Sequence, residues 1–165
     1  MRYFLVAGEA SGDLHASALI RALRAEDPEA SFAFMGGDKM EAAAGVAPIV
    51  HYREVAFMGI VSVVKNLGKL TRIGRQIQTA MRDFAPDVVI PVDYADFNFR
   101  FILPYAKKEL RCPVIYYILP KLWAWRAGRI RQLRRYVDLG LSILPFETSY
   151  FSDRGLRTEY IGNPC

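Results

Sequence analysis

Asp93-Tyr94-Ala95-Asp96-Phe97-Asn98 follows the apolar run Pro86-Asp87-Val88-Val89-Ile90-Pro91-Val92, so two carboxylates and an amide stand where a buried strand ends. A second polar cluster, Gly8-Glu9-Ala10-Ser11-Gly12-Asp13-Leu14-His15, follows the apolar Tyr3-Phe4-Leu5-Val6-Ala7. A third, Leu122-Trp123-Ala124-Trp125-Arg126 with Arg129 beyond it, follows Pro113 to Pro120. Carboxylates, hydroxyls and amides satisfy sugar hydroxyls, and pyranose rings or acyl chains pack on aromatic faces. Arg126 and Arg129 add planar donors for a sugar or lipid phosphate. The glycine cluster has neither the G-x-G-x-x-G of a dinucleotide site nor the G-K-[ST] ending of a P-loop. A plainer reading stands beside each cluster. The first loop is then an ordinary strand-to-helix turn with Ser11 or Asp13 as the helix cap, His15 is a packing residue, and the two tryptophans belong to the core.

These clusters need elements to hold them. After the first loop, Leu14, Ala18, Leu19, Ala22 and Leu23 recur at helical spacing. Strand-length apolar runs fall at 31–35, 46–50, 86–93, 113–120, 137–144 and 158–162, with helical stretches between them. Alternation of this kind predicts a doubly wound, mostly parallel, Rossmann-like α/β domain. Ligands of such domains sit outside the carboxyl ends of the strands, where all three polar clusters fall.

With 165 residues and 52% hydrophobic content, the chain suits one domain with a sizeable core. Its two cysteines, Cys112 and Cys165, form no framework or metal spacing, which predicts a reducing cytosol and no metal site. Met1 leads directly into the first strand, leaving no room for a signal peptide, and no run is long enough to span a bilayer. The net charge of +5 is uneven: Lys121, Arg126, Arg129, Arg131, Arg134 and Arg135 follow one another without an acid. Such a block favours phosphate groups or anionic lipid. Nucleic acid is disfavoured, because no aromatics interleave with the block after Trp125. Between Met58 and Ile73 an apolar helical face carrying Val61, Val64, Leu67 and Leu70 is rimmed by Lys65, Lys69 and Arg72. Packing on the sheet is the ordinary fate of such a face, and lying on a membrane surface is the sharper one.

Taken in order, several pieces resemble the lipid-A-disaccharide synthase family. They are Ala7-Gly8-Glu9-Ala10-Ser11-Gly12-Asp13, Met58-Gly59-Ile60-Val61, Asp93 to Asn98, Trp123-Ala124-Trp125-Arg126, Leu144-Pro145-Phe146-Glu147 and Ile161-Gly162-Asn163-Pro164. The sequence departs from the family at Ala95, where Pro is usual, at Leu119-Pro120-Lys121, where Ser-Pro is common, and at Asn163, where His is usual. The resemblance implies the N-terminal half of a two-domain GT-B glycosyltransferase, with a C-terminal UDP-sugar-binding domain beyond this chain. It further implies transfer of 2,3-diacylglucosamine from its UDP derivative to 2,3-diacylglucosamine 1-phosphate, a β-1,6 link, inversion, release of UDP and no cofactor. A peripheral position at the cytoplasmic face of the inner membrane goes with such substrates. Asp93 matches the family's base. Glu9, Ser11, Gly12, Asn98, Trp123, Arg126 and Arg129 become candidate substrate contacts, Asp13 and Asp96 supporting residues, and Val61, Val64, Leu67 and Leu70 the acyl-chain face. The rival expectation is a non-catalytic module that binds a nucleotide or phospholigand and needs no base.

Overall fold

The computed structural model describes residues 1–60, 63–125 and 127–164, with the side chains of 57–60, 63, 64, 124, 125 and 127 left aside. Val61 and Arg126 therefore lie outside the described residues, as does the side chain of Val64. The apolar runs become strands β1 (Arg2–Ala7), β2 (Ser31–Gly36), β3 (Val50–His51), β4 (Val88–Val92), β5 (Ile115–Tyr117), β6 (Leu139–Ser142) and β7 (Thr158–Tyr160). They form one sheet in the order β3-β2-β1-β4-β5-β6-β7, and every pairing is parallel. The chain winds outward one way from β1 to β3, then crosses back to β4 and winds the other way. The crevice between β1 and β4 is the topological switch point of a doubly wound sheet.

Helices cover both faces: α1 (Ala10–Glu26), α2 (Asp38–Ala44), α3 (Tyr52–Ile60), α4 (Val63–Phe84), α5 (Ala95–Phe97), α6 (Leu103–Lys108), α7 (Leu122–Trp125), α8 (Ile130–Tyr136) and α9 (Pro145–Ser152). A π-helical turn, Asn98–Ile102, joins α5 to α6, and a 3-10 turn, Ala127–Arg129, precedes α8. Side chains alternate across a strand. Phe4 and Val6 of β1 accordingly pack with Ile77 and Met81 of α4, while Leu5 and Ala7 pack with Ile20 of α1 and Met40 of α2. Burial on both faces explains why β1 and β4 are continuous apolar runs rather than alternating ones.

Two local features differ from the sequence expectation. The run 46–50 contributes only its last residue to β3. Helix α1 begins at Ala10, so Ser11, Gly12 and Asp13 occupy its first turn, and neither Ser11 nor Asp13 caps it. Gly12 lets this turn lie close on β1, since a Cβ there would stand 3.3 Å from that of Ala7. Asp13 is buried and caps a different helix. Its carboxylate accepts from the backbone N–H groups of Gly37 (2.9 Å), Lys39 (3.1 Å) and Met40 (3.0 Å), the start of α2. One side chain thus ties the β1 and β2 loops together at the carboxyl edge of the sheet.

Removing it strands three donors, two of them in buried bonds. Asp13→Ala is expected to cost about 3 kcal/mol of stability in urea unfolding; a loss below about 1 kcal/mol would show the two loops to be held by other contacts.

Candidate functional site

A cavity of about 680 Å³ opens over the switch point. Ser11, Gly12 and His15 of α1 form one wall, and Asp93, Ala95 and Asp96 after β4 form the floor. The loop after β5 brings Lys121, while Arg129 and Glu147 close the far side. The first and second sequence clusters therefore meet, joined by the loops after β5 and β6.

Asp93 stands on an unusual piece of backbone. Its φ is +43° and that of Tyr94 is +46°, two consecutive left-handed residues without a glycine. Three contacts hold the turn. The Asp93 N–H donates to the Tyr117 carbonyl at 3.1 Å. The Asp93 carbonyl accepts from the Tyr116 hydroxyl at 2.6 Å and from the Asn98 amide at 2.8 Å. Tyr94 turns its ring over Gly8, where a Cβ would come within 2.1 Å of it. Gly8 is therefore required by the approach of a neighbouring ring, and its own φ is not positive.

Burial raises the Asp93 carboxyl above its ordinary value and the Glu9 charge raises it further; a hydrogen bond from the Tyr94 backbone N–H, then Lys121 and His15, oppose them more weakly. Burial likewise raises the Tyr116 phenol, which is wholly enclosed. It stays neutral and keeps its proton for the Asp93 carbonyl.

The remaining candidates are placed as follows. Ser11 and Gly12 line the cavity, and the Ser11 hydroxyl donates to Glu9 at 2.7 Å. Asn98 is fully buried beneath the loop and serves Asp93, so it holds the turn instead of contacting a ligand in the cavity. Asp96 forms an ion pair with Arg129 at 2.7 Å, and Arg129 also lies over the Phe99 ring, 5.1 Å from its centroid. Trp123 is 40% exposed, packs edge-on against Phe146, and donates its indole N–H to Glu147 at 3.1 Å. On α4, Leu67 is 42% exposed beside exposed Lys65, Lys69 and Arg72, whereas Leu70 packs partly against the core. Among the described residues no group of three or more His, Cys, Asp or Glu converges as metal ligands, and no helix is long and apolar enough to cross a membrane.

Sequence reasoning missed Tyr116 and Glu147. Tyr116 reads as one more apolar strand residue. Glu147 carried a signal, a lone acid among Leu144, Pro145 and Phe146, but acids are also common in a first helical turn.

Fold and site define a Rossmann-like domain of the GT-B type with its ligand crevice at the carboxyl edge of a parallel sheet. Of solved structures, a UDP-GlcNAc 2-epimerase from Neisseria meningitidis bound to UDP-GlcNAc superposes with a TM-score of 0.69 at 14% identity, covering 99% of this chain and 46% of that one. The glycosyltransferase SnogD from Streptomyces nogalater superposes with a TM-score of 0.50 at 19% identity, covering 99% and 54%. The family model described as lipid-A-disaccharide synthetase matches residues 3–165, and the chain belongs to that family. The lipid-A-disaccharide synthase of Myxococcus xanthus (strain DK1622) is 44% identical over 163 residues, and that of Geobacter sulfurreducens (strain ATCC 51573 / DSM 12127 / PCA) is 37% identical over 163. The chain spans about 42% of the length of these relatives.

The raised Asp93 carboxyl makes stability depend on pH in a definite direction. The folded protein holds this proton more tightly than the unfolded chain, so the contribution is full at pH below the unfolded value. It is lost as pH rises through the folded one. Asp93→Asn is therefore expected to melt above wild type at pH 7, with the difference vanishing near pH 3. A variant that melts below wild type at pH 7 would show the carboxylate to be stabilising.

Proposed function

We propose that this chain is the acceptor-side domain of a lipid-A-disaccharide synthase. The observation that carries the reading is Asp93: a half-buried carboxylate with a raised proton affinity, on a clamped turn at the floor of the cavity. The reaction read here is the one that resemblance to the family implies. Asp93 takes the proton from the 6-hydroxyl of 2,3-diacylglucosamine 1-phosphate as that oxygen attacks the anomeric carbon of UDP-2,3-diacylglucosamine. The bond from that carbon to the UDP oxygen breaks on the opposite side, UDP leaves with the electron pair, and a β-1,6 disaccharide forms with inversion. A raised carboxyl suits the task, because a base works best with an affinity near the working pH. Lys121 and Arg129 lie on the same cavity and are suited to the acceptor phosphate. We assign the UDP contacts to the portion of the longer relatives that this chain does not cover.

The substrates carry acyl chains, so the domain must meet a membrane surface, placed here at the cytoplasmic face of the inner membrane. The exposed Leu67 with Lys65, Lys69 and Arg72 is the described part of the proposed docking face. An exposed leucine contributes roughly 1.5–3 kcal/mol when buried, and each nearby cation about 1 kcal/mol on anionic lipid. In the sequence Val61 and Val64 continue the same apolar pattern, while Leu70 faces partly inward.

Two measurements test this. On a chain extended to the length of its relatives, Asp93→Asn is expected to keep the fold and lower UDP release by at least roughly 10²-fold. Asp96→Ala is expected to lower it far less, because the Phe99 ring still holds Arg129 in place. Near-normal turnover in folded Asp93→Asn removes the base and leaves the phospholigand-binding module. For the membrane face, Leu67→Ser with Lys69→Ser is expected to reduce co-sedimentation with phosphatidylglycerol vesicles several-fold. Unchanged sedimentation would move the docking surface elsewhere.

A further inference from the structure

Glu147 has a role in the cavity that holding the fold does not explain. It is 1% exposed, yet it lines the cavity, and among the described residues no lysine or arginine pairs with it. Its Oε1 accepts the Trp123 indole N–H, while its Oε2 is buried without any hydrogen-bond partner. A buried carboxylate oxygen left in this condition is costly, and it calls for a partner such as a ligand group, an ion or an ordered water. Anchoring Trp123 does not require the charge, because a glutamine oxygen would accept the indole bond equally well. The position at the start of α9 eases the charge without supplying a donor to Oε2.

We propose that Glu147 is a ligand-binding residue whose second carboxylate oxygen accepts a hydrogen bond from a hydroxyl or amide N–H of the sugar held in the cavity, with Trp123 fixing the carboxylate for that contact. This rests on the sugar-site reading above and adds an orientation to it. The terminal torsion of a glutamate side chain is soft. A ligand group entering the cavity can therefore draw Oε2 toward it. An anionic group is repelled by Asp93 and Glu147 alike, so the uncharged face of the sugar lies toward them. The phosphate then points toward Lys121 and Arg129, the cations of the same cavity.

The probe is glucosamine 1-phosphate, titrated into the chain by calorimetry and by tryptophan fluorescence, with inorganic phosphate as the comparison ligand. Trp123 is one of two tryptophans in the chain and reports directly on the Glu147 bond. In Glu147→Gln, sugar-phosphate affinity is expected to fall roughly tenfold or more. Inorganic phosphate should bind at least as tightly as in wild type, since one repelling charge is gone, and the melting temperature should hold or rise as the uncompensated charge is removed. A folded Glu147→Gln that binds glucosamine 1-phosphate like wild type overturns this proposal and leaves the sugar site standing. A wild type that binds inorganic phosphate but no glucosamine 1-phosphate overturns the sugar site, and this proposal with it. If Glu147→Gln does not fold, Trp123→Phe decides, since it keeps the ring and removes the donor that fixes Glu147. It should weaken the sugar phosphate several-fold, and unchanged affinity there also overturns the assignment.

Discussion

At the end of β4 the chain leaves the sheet through two left-handed residues, Asp93 and Tyr94, neither of which is glycine. For residues with a Cβ this conformation costs roughly 1–2 kcal/mol each, so the surroundings must impose it. The Asp93 carbonyl is held from below by Tyr116 and Asn98, and the Tyr94 ring lies over Gly8. Each contact depends on a different part of the fold. Tyr116 reaches the carbonyl because β5 runs parallel beside β4, with Val92 opposite Tyr117. Asn98 reaches it because the chain turns back through α5 into a π-helical turn. Gly8 is in place because β1 is the other neighbour of β4, with Ala7 opposite Val92. The strain and its restraints together fix where the carboxylate points, and π-turns recur at functional sites for this kind of reason.

The same constraint separates what was legible in the sequence from what was not. The strands were legible wherever burial on both faces made an apolar run, as in β1 and β4. Asp93 was legible because a carboxylate ending such a run must emerge at the carboxyl edge. Its neighbours were harder to assign, because the loop's path decides their roles. Asn98 stands in a polar hexapeptide and reads as a ligand contact, but the turn through Asp93 and Tyr94 directs it underneath. Asp13 reads as a cap for its own helix, but the close seat of Gly12 on β1 carries it across to α2. Local spacing does not record which loop will lie beside which. The family's ordered motifs record it indirectly, since Gly8, Asp13, Asp93 and Asn98 all fall within them.

On the proposed reading, the ion pair between Asp96 and Arg129 readies the cavity for an anion. The Asp96 side chain is 77% exposed, against 24% for Arg129. An ion pair with so exposed a member contributes at most about 1 kcal/mol. On the proposed reading Asp96 yields Arg129 to a doubly charged phosphate, which binds a guanidinium through two parallel bonds. Arg129 does not lose its orientation when Asp96 departs, because the Phe99 ring lies beneath it. Phe99 belongs to the π-helical turn that also carries Asn98, whose amide holds the Asp93 carbonyl. One short stretch after β4 thus carries the carboxylate and, through Phe99, the ring beneath the cation, which itself comes from the 3-10 turn before α8. On the proposed reading this is the requirement of an acceptor site. The hydroxyl that loses its proton and the phosphate that anchors the same sugar must be held in fixed relation, and the seat of Arg129 on Phe99 links the two ends.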